Sequence, residues 1–232
     1  MHILLAGQGN MAKAVEAACF PRGIKLTKLG QDFDHSNEFY GKPVAIHFGS
    51  GSQLLHLVDV CERLKMPLIQ GSTKLSVELP SDRQVRIVNA PNLSIPMIRF
   101  MTAFPIFAQA IKTGMKLRIV ESHQSAKADT SGTARAVART LNVPESAIKP
   151  IRDPGIQILA GVPEEHLGGH AYHDFIFTGQ GVEIRVSTKI LGRATYAEGA
   201  LILAQGLENH ATDLGFGIHE LNDAVLNLLL AA

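Results

Sequence analysis

The sequence predicts an α/β fold with two domains, one built on a parallel sheet and one of α+β type. Short apolar runs alternate with helical segments over the first 95 residues, as expected for parallel strands joined by right-handed crossovers. Beyond residue 95, a long apolar helical stretch is followed by several extended runs. The 232 residues, 46% of them hydrophobic, are sufficient for two cores.

Each predicted strand in the first half of the chain ends in a loop of small or polar residues. The predicted strands are residues 2–6, 24–30, 43–49, 67–73 and 85–94, with helices after the first strand and over residues 53–65. Ligands of open parallel sheets bind beyond the carboxyl ends of the strands. The candidate binding loops are therefore Gly7–Met11, Gly49–Ser52, Gly71–Thr73 and Ala90–Ser94.

The second half of the chain has a different order of elements. Helices are predicted over residues 96–113 and 131–142, and strands over residues 116–122, 156–162, 169–179 and 182–190. We expect these strands to form a mixed or antiparallel sheet with one open face. A helix over residues 195–210 leads back to the first domain. The predicted domains are residues 1–95 with 196–232, and residues 96–195.

The segment GQGNMA places Gly7, Gly9 and Ala12 in the G-x-G-x-x-A pattern, between a strand and a helix. The first glycine makes a tight turn, the second lets the backbone approach a pyrophosphate, and the small third residue allows close packing. The helix N-terminus offers N–H groups to the phosphates. We predict a Rossmann-like dinucleotide-binding domain whose loop also includes Gln8, Asn10 and Met11. The alternative is a tight turn without a ligand.

Two residues bear on the choice between NADH and NADPH. Asp32 lies at about the distance from the loop at which an acid binds the adenosine ribose. Lys28 would instead tolerate a 2′-phosphate. The sequence leaves both cofactors open.

The stretch ESHQSAKADTSGTARAV has the composition of an anionic-substrate site with a proton donor. His123 carries an imidazole that can supply a proton near neutral pH. Lys127 adds a positive charge, and a helix beginning near Ser131 adds N–H donors. The alternative is a solvated loop before a helix that Ser131 caps.

The same stretch resembles the E-x-H-H-x-x-K-x-D-x-P-S-G-T-A signature of the 4-hydroxy-tetrahydrodipicolinate reductase family, also called dihydrodipicolinate reductase. Further segments resemble that family in the same order: GQGNM, IHFGSGSQLLHLVDVCERLKMPLIQGST, NAPNLSIPM, LGGHAYHDF and GRATYAEGA. The resemblance implies hydride transfer from NADH or NADPH to a cyclic, dicarboxylated imine of diaminopimelate and lysine biosynthesis. It also implies two domains and a homotetramer.

The resemblance implies a role for each matching residue. His123 is expected to be the general acid, and Lys127 the second catalytic residue, which also favours the substrate anion. Residues expected to bind substrate are Gln124, Gly132 and Thr133. Residues expected on the nicotinamide side are Gly71, Ser72, Thr73, Ala90, Pro91, Asn92 and Leu93.

Several positions depart from the family pattern. Gln124 replaces the second His, Thr130 replaces the Pro before SGT, and His47-Phe48-Gly49 replaces D-F-T. These changes keep two alternatives open. One is a related reductase of another imine or oxo acid, and the other is a non-catalytic nucleotide-sensing protein.

Composition disfavours other classes of protein. The net charge of +1 and the lack of a basic stripe disfavour nucleic-acid binding. The apolar segments at the two ends are too short for a signal peptide or a membrane span, so we expect a cytoplasmic protein. Cys19 and Cys61 are predicted to be buried packing thiols. His170 and His173, expected on one strand face, have no Cys or acidic partners, so no metal is predicted.

Overall fold

Ten strands and seven α-helices are found in the part of the chain that the computed structural model describes, which is residues 1–30, 39–73 and 75–231. The strands are β1 (His2–Ala6), β2 (Lys25–Lys28), β3 (Val44–His47), β4 (Leu68–Gln70), β5 (Arg86–Asn89), β6 (Lys116–His123), β7 (Ile148–Ile151), β8 (His170–Gly179), β9 (Val182–Leu191) and β10 (Gly217–Glu220). The helices are α1 (Asn10–Cys19), α2 (Gly51–Leu64), α3 (Ile95–Ile111), α4 (Gly132–Thr140), α5 (Pro154–Leu159), α6 (Ala194–His210) and α7 (Asp223–Leu229).

The elements form two compact units. The first unit comprises Met1–Ile98 and the residues from Ala194 onward, and the second comprises Arg99–Arg193. Among the described residues, no helix is long and apolar enough to cross a bilayer.

The first unit contains a six-stranded parallel sheet in the order β10-β5-β4-β3-β1-β2. The five strands predicted for this domain are confirmed. The edge strand β10 was not predicted, because its four residues GIHE are only partly buried and lack an apolar run. Its pairing with β5 is therefore determined by the fold rather than by local sequence.

Strands β1 and β3 are apolar along nearly their whole length because helices cover both faces of the sheet. Ile3 and Leu5 pack with α1 and α6 in one apolar cluster. Leu4 and Ala6 point to the other face and pack with α2. The predicted burial of the two thiols is confirmed, since Cys19 lies in the first cluster and Cys61 in the second, and both are free.

The second unit contains a four-stranded mixed sheet in the order β7-β6-β8-β9, in which only β6 and β7 are parallel. The strand predicted over residues 156–162 is wrong. That segment begins within α5, because Asp153 caps the helix by accepting the N–H of Ile156 at 2.9 Å and Pro154 occupies its first turn. The strand beside β6 is instead β7. It was not predicted because its exposed Lys149 and Pro150 interrupt the run of apolar residues by which strands were recognised.

Helices α3 and α4 pack on one face of this mixed sheet. The ring of Phe104 lies 4.5 Å from that of Phe175 between centroids, and both side chains are buried. The predicted N-cap of α4 is confirmed, since Ser131 Oγ accepts the N–H of Ala134 at 3.4 Å. This cap fixes the start of α4 beside the end of β6, where the proposed acid lies.

Candidate active site

Two predicted loops in the first unit meet around Phe48. Gly7 has φ +122°, and a Cβ at that position would lie 2.7 Å from the carbonyl carbon and oxygen of Phe48. A Cβ on Gly71 would overlap the ring of Phe48. Both positions therefore require glycine for close approach, and their loops lie at the carboxyl edge of the parallel sheet.

Gly9 has a different environment from Gly7. It is the N-cap residue of α1, it has ordinary extended backbone angles, and a Cβ there would have no neighbour within 4 Å. The space above the helix N-terminus is thus open. Asn10 and Met11 form the first turn of α1, where helix N–H groups lack intrahelical acceptors. This open space and these donors fit a dinucleotide pyrophosphate.

The Gly71–Thr73 loop is held by the side chain of Gln70. Its amide nitrogen donates to the carbonyl of Ser72 at 2.9 Å, and its amide oxygen accepts the N–H of Ser72. The hydroxyl of Ser72 donates to the carbonyl of Gly49 at 3.0 Å. The loop is thereby fixed to the neighbouring loop that follows β3.

The loop from Ala90 to Leu93 follows β5 at the same edge. The N–H of Ala90 donates to the Gln70 carbonyl at 2.7 Å, while the Asn92 side chain accepts the N–H of Ser94 at 3.0 Å. Ala90 and Leu93 are buried and Pro91 is exposed. The predicted nicotinamide-side residues thus share one edge of the sheet with Gln8 and its neighbours in the glycine loop.

Asp32 and Lys28 were the residues predicted to bear on the ribose end of the cofactor site. Asp32 lies outside the described residues. The ammonium of Lys28 forms an ion pair with Glu16 of α1 at 2.7 Å, and both side chains are solvent-accessible.

In the second unit, β6 ends at His123, and Glu121 precedes it on the same strand face. The Glu121 side chain is fully buried, and its Oε2 lies 2.6 Å from Nδ1 of His123. Arg152, just beyond β7, donates to both carboxylate oxygens at 2.6 and 3.0 Å. Burial alone raises the pKa of Glu121, but the hydrogen bonds and charges of His123 and Arg152 outweigh it and lower the pKa to about 2.

His173 stands opposite Glu121 on the neighbouring strand β8. Its Nε2 lies 2.7 Å from the hydroxyl of Ser131, and its Nδ1 lies 3.2 Å from the hydroxyl of Thr188. Burial, together with the nearby His123, lowers the pKa of His173 to about 3. His173 is therefore neutral at pH 7, and its ring makes a T-shaped contact with that of His123, at 5.3 Å between centroids.

The expectation that His170 and His173 share a strand face is wrong. Residues three apart on a strand point to opposite faces. His170 contacts the hydroxyl of Ser122 at 2.8 Å and the carbonyl of His166 at 3.1 Å. Among the described residues, no group of three or more His, Cys, Asp or Glu side chains has an arrangement that would hold a metal ion.

The predicted substrate residues lie in the segment between β6 and α4. Lys127 is partly accessible, and its ammonium contacts Asp129 at 2.8 Å. Its backbone N–H donates to the carbonyl of Gln124 at 2.9 Å, which forms a turn. Gly132 is exposed and Thr133 half-buried in the first turn of α4. Cationic and N–H donors thus follow His123 within ten residues of chain.

Three residues of this site were not predicted: Glu121, Arg152 and Gln157. The alternation of side chains along a strand could have placed Glu121 beside His123, since the two are separated by one residue. No local signal indicated Arg152 or Gln157, because β7 and α5 were not recognised.

The family model described as the C-terminus of dihydrodipicolinate reductase matches residues 97–221, which is more than half of the chain. This chain belongs to the dihydrodipicolinate reductase family. The family signature identified in the sequence therefore lies within the matched region, in the segment that carries His123, Lys127 and Ser131.

Two plant members of the dihydrodipicolinate reductase family illustrate the extent of the similarity. The chain is 35% identical over 156 residues to the probable chloroplastic 4-hydroxy-tetrahydrodipicolinate reductase 1 of Oryza sativa subsp. japonica. This match covers 60% of the chain and 45% of the rice protein, so it spans less than half of that relative. The match to chloroplastic 4-hydroxy-tetrahydrodipicolinate reductase 1 of Arabidopsis thaliana is 31% identical over 237 residues, covering 83% of the chain and 68% of that protein.

A solved structure of the family has the same fold. The dipicolinate-bound dihydrodipicolinate reductase from Paenisporosarcina sp. TG-14 superposes with a TM-score of 0.62 at 14% identity. The superposition covers 95% of this chain and 97% of that one. The predicted α/β class, with a Rossmann-like unit and a mixed second sheet, is confirmed.

Proposed function

We propose that this chain reduces 4-hydroxy-tetrahydrodipicolinate to tetrahydrodipicolinate with NADH or NADPH, a step of diaminopimelate and lysine biosynthesis. The observation that carries the proposal is the buried Glu121 carboxylate that holds His123, in the same segment as Lys127 and the N-terminus of α4. Family membership and the open glycine loop of the first unit support the same reaction.

The substrate is a dicarboxylate, so its site needs positive charge and hydrogen-bond donors. Lys127 supplies a point charge, with Asp129 holding its ammonium until the substrate binds. Gly132 and Thr133 supply backbone N–H groups and the positive end of the α4 dipole. Gln124 can donate a side-chain hydrogen bond where the family pattern has a His.

Loss of water from 4-hydroxy-tetrahydrodipicolinate gives the conjugated imine dihydrodipicolinate, and the reaction adds one hydride and one proton to this imine. The loops Gly7–Met11, Gly71–Thr73 and Ala90–Leu93 would hold a reduced nicotinamide cofactor, which would supply the hydride and its two electrons; the imine would then be left as an enamine-like anion. His123 in its protonated form gives the proton from Nε2 to this anion, because Nδ1 is engaged by Glu121. The carboxylate stabilises the imidazolium before transfer and holds the ring in place afterwards.

Gly7 and Gly9 are expected to respond differently to substitution. Gly9→Val should fold normally yet abolish cofactor binding, since the added side chain fills the open space above α1. Gly7→Ala should lower the free energy of unfolding by about 2 kcal/mol or more, because of its positive φ and its contact with Phe48. Cofactor fluorescence titration and urea unfolding measure the two effects. Normal cofactor affinity in Gly9→Val would contradict the assignment of the loop.

Lys127→Ala should lower kcat/KM by about 10- to 150-fold, because a hydrogen bond to a charged group contributes about 1.5–3 kcal/mol. Binding of dipicolinate, a substrate-like dicarboxylate, should weaken in parallel. Lys149→Ala, at an exposed position on β7, is the matched control and should keep wild-type kinetics. Unchanged dipicolinate affinity in Lys127→Ala would remove Lys127 from the carboxylate site.

Assembly as a homotetramer is part of the proposal and depends on the family resemblance. Cytoplasmic location is also part of the proposal and is supported by the free, buried thiols of Cys19 and Cys61, which suit a reducing compartment. Two alternative functions share the cofactor site but differ in what the protein does with a substrate. A related reductase would oxidise NADH or NADPH with another imine or oxo acid. A nucleotide-sensing protein would bind the cofactor without turnover, and would not require His123 and Lys127.

A coupled assay separates these functions. Dihydrodipicolinate synthase, fed with aspartate semialdehyde and pyruvate, supplies the substrate, and absorbance at the nicotinamide band follows NADH and NADPH in turn. We expect oxidation that depends on the synthase and is faster with one cofactor. Cofactor binding without synthase-dependent oxidation would contradict the proposal and favour the alternatives.

A further inference from the structure

The guanidinium of Arg152 has all five of its N–H groups engaged within the protein. Two donate to the carboxylate of Glu121, at 2.6 and 3.0 Å. The other three donate to backbone carbonyls of Lys127, Asp129 and Ile151, at 2.8, 3.1 and 2.9 Å. A guanidinium has five N–H donors, so none remains for a substrate carboxylate. Arg152 is therefore not a substrate-binding arginine, although it lies beside the proposed dicarboxylate site.

These five bonds connect the two proposed catalytic residues. Through Glu121, Arg152 fixes the ring of His123, because the same carboxylate lies 2.6 Å from Nδ1. Through the carbonyls of Lys127 and Asp129, it fixes the segment that carries the ammonium. A single planar group thus sets both the orientation of His123 and the path of the Lys127 backbone.

Gln157 supports the same strand end from α5. Its side chain is fully buried, and its amide nitrogen donates to the carbonyls of His123 at 2.7 Å and Ile151 at 3.2 Å. His123 is therefore held at its ring by Glu121 and at its backbone by Gln157. Arg152 comes from the connection between β7 and α5, and Gln157 comes from α5 itself.

We propose that Glu121 and Arg152 are positioning residues for the proton transfer, and that Glu121 holds the proton of neutral His123 on Nδ1. This inference rests on the proposed function. The carboxylate accepts Nδ1–H, so Nε2 is the nitrogen that exchanges its proton with the substrate, and Arg152 keeps the carboxylate charged and aligned. The network also explains why this carboxylate can be fully buried, because each oxygen has two polar neighbours: Oε2 contacts His123 and Arg152, and Oε1 accepts from Arg152 and, at 3.5 Å, from the N–H of Ser131.

The first test compares Glu121→Gln with wild type in the coupled assay across pH. The variant should lose about 10- to 100-fold in kcat with a nearly unchanged KM. The glutamine amide has one NH2 group, a donor, where the carboxylate has an accepting oxygen, so this group would point at an N–H donor of His123 or Arg152 and the His123 ring would lose its alignment. The alkaline limb of kcat should move to lower pH, because no carboxylate stabilises the imidazolium. Glu121→Asp keeps the charge and should retain the wild-type limb with a lower kcat. Glu145→Gln, exposed in the same unit, is the control.

Arg152→Lys tests the link between the two residues. Lysine keeps the positive charge but has three donors, so it cannot hold the carboxylate and three carbonyls together. We expect a lower kcat together with a higher KM, since both His123 and the Lys127 segment lose their support. Wild-type values of both constants in Arg152→Lys would overturn its positioning role.

A readout independent of turnover separates this inference from the proposed function. In ¹⁵N-histidine spectra of the unliganded protein, with His123 assigned by loss of its signals in His123→Gln, the neutral ring should carry its proton on Nδ1. In Glu121→Gln the two tautomers should mix. A wild-type tautomer and an unshifted pH limb in Glu121→Gln would overturn the inference. No turnover by wild type with the Nδ1 tautomer present would contradict the function alone.

Discussion

His123→Ala is expected to lower kcat by about 10²–10⁴-fold, the range typical of a lost general acid. Cofactor affinity should remain unchanged, because the predicted cofactor loops lie in the other compact unit. The fold should also persist, since the His123 side chain lies at the end of β6 and not in the apolar cluster of the second unit.

The kinetic experiment on His123 needs a matched control. His210→Ala removes a partly exposed imidazole at the end of α6 and should leave kcat at the wild-type level. A loss of less than tenfold in His123→Ala would show that another group donates the proton. Rescue of that variant by added imidazole would support the assignment.

The second large effect is a fall in the free energy of unfolding in acid, which we expect because His173 is buried in its neutral form. Its folded pKa of about 3 lies below the value of 6.5 in the unfolded chain. The native state therefore binds fewer protons, so the stability contributed by the neutral ring is complete above pH 6.5 and falls as the pH drops toward 3. His173 alone should contribute a slope of about 1.4 kcal/mol per pH unit in this window.

Urea unfolding at several pH values between 6.5 and 4.5 measures this slope. Burial also lowers the pKa of His2, His47 and His170, so the informative quantity is the difference between variants. In His173→Gln the free energy of unfolding should fall less steeply with pH, by the amount that corresponds to one proton, about 1.4 kcal/mol per pH unit. Phe175→Leu, which weakens the same core without a titrating group, should keep the wild-type slope. Equal slopes in wild type and His173→Gln would contradict the neutral, buried state of His173.

Glu121 adds a separate loss at lower pH. Its folded pKa of about 2 lies below the unfolded value of 4.5, so its contribution is present above pH 4.5 and is lost as the pH falls toward 2. The acid response of the second unit thus has two stages. The histidine stage precedes the carboxylate stage as the pH is lowered.

Sequence patterns predicted the parts of this fold that depend on local signals. The apolar runs of β1 and β3 and the glycine loop between β1 and α1 are recognisable without tertiary information, because each strand is buried on both faces. Ser131 was recognisable as a cap because it precedes a helical run. The motif that contains His123 and Lys127 was recognisable through family resemblance.

The supports of the site depend on pairings between distant segments, which a single sequence does not reveal. The run IQILAGV is apolar enough for a strand, but Asp153 and Pro154 before it begin a helix. Strand β7, with exposed Lys149, forms only because β6 offers it a parallel edge. Arg152 and Gln157 reach Glu121 and the His123 carbonyl through that pairing, across about 30 residues of chain.

Transfer of deuterium tests the central claim most directly. The synthase-generated substrate would be reduced with NADH or NADPH that carries deuterium at the transferred position of C4, and the product analysed by mass spectrometry. The account predicts tetrahydrodipicolinate with one deuterium, formed by wild type and nearly absent with His123→Ala. Cofactor oxidation without deuterium in this product, or no oxidation at all, would contradict the claim that the chain is the reductase.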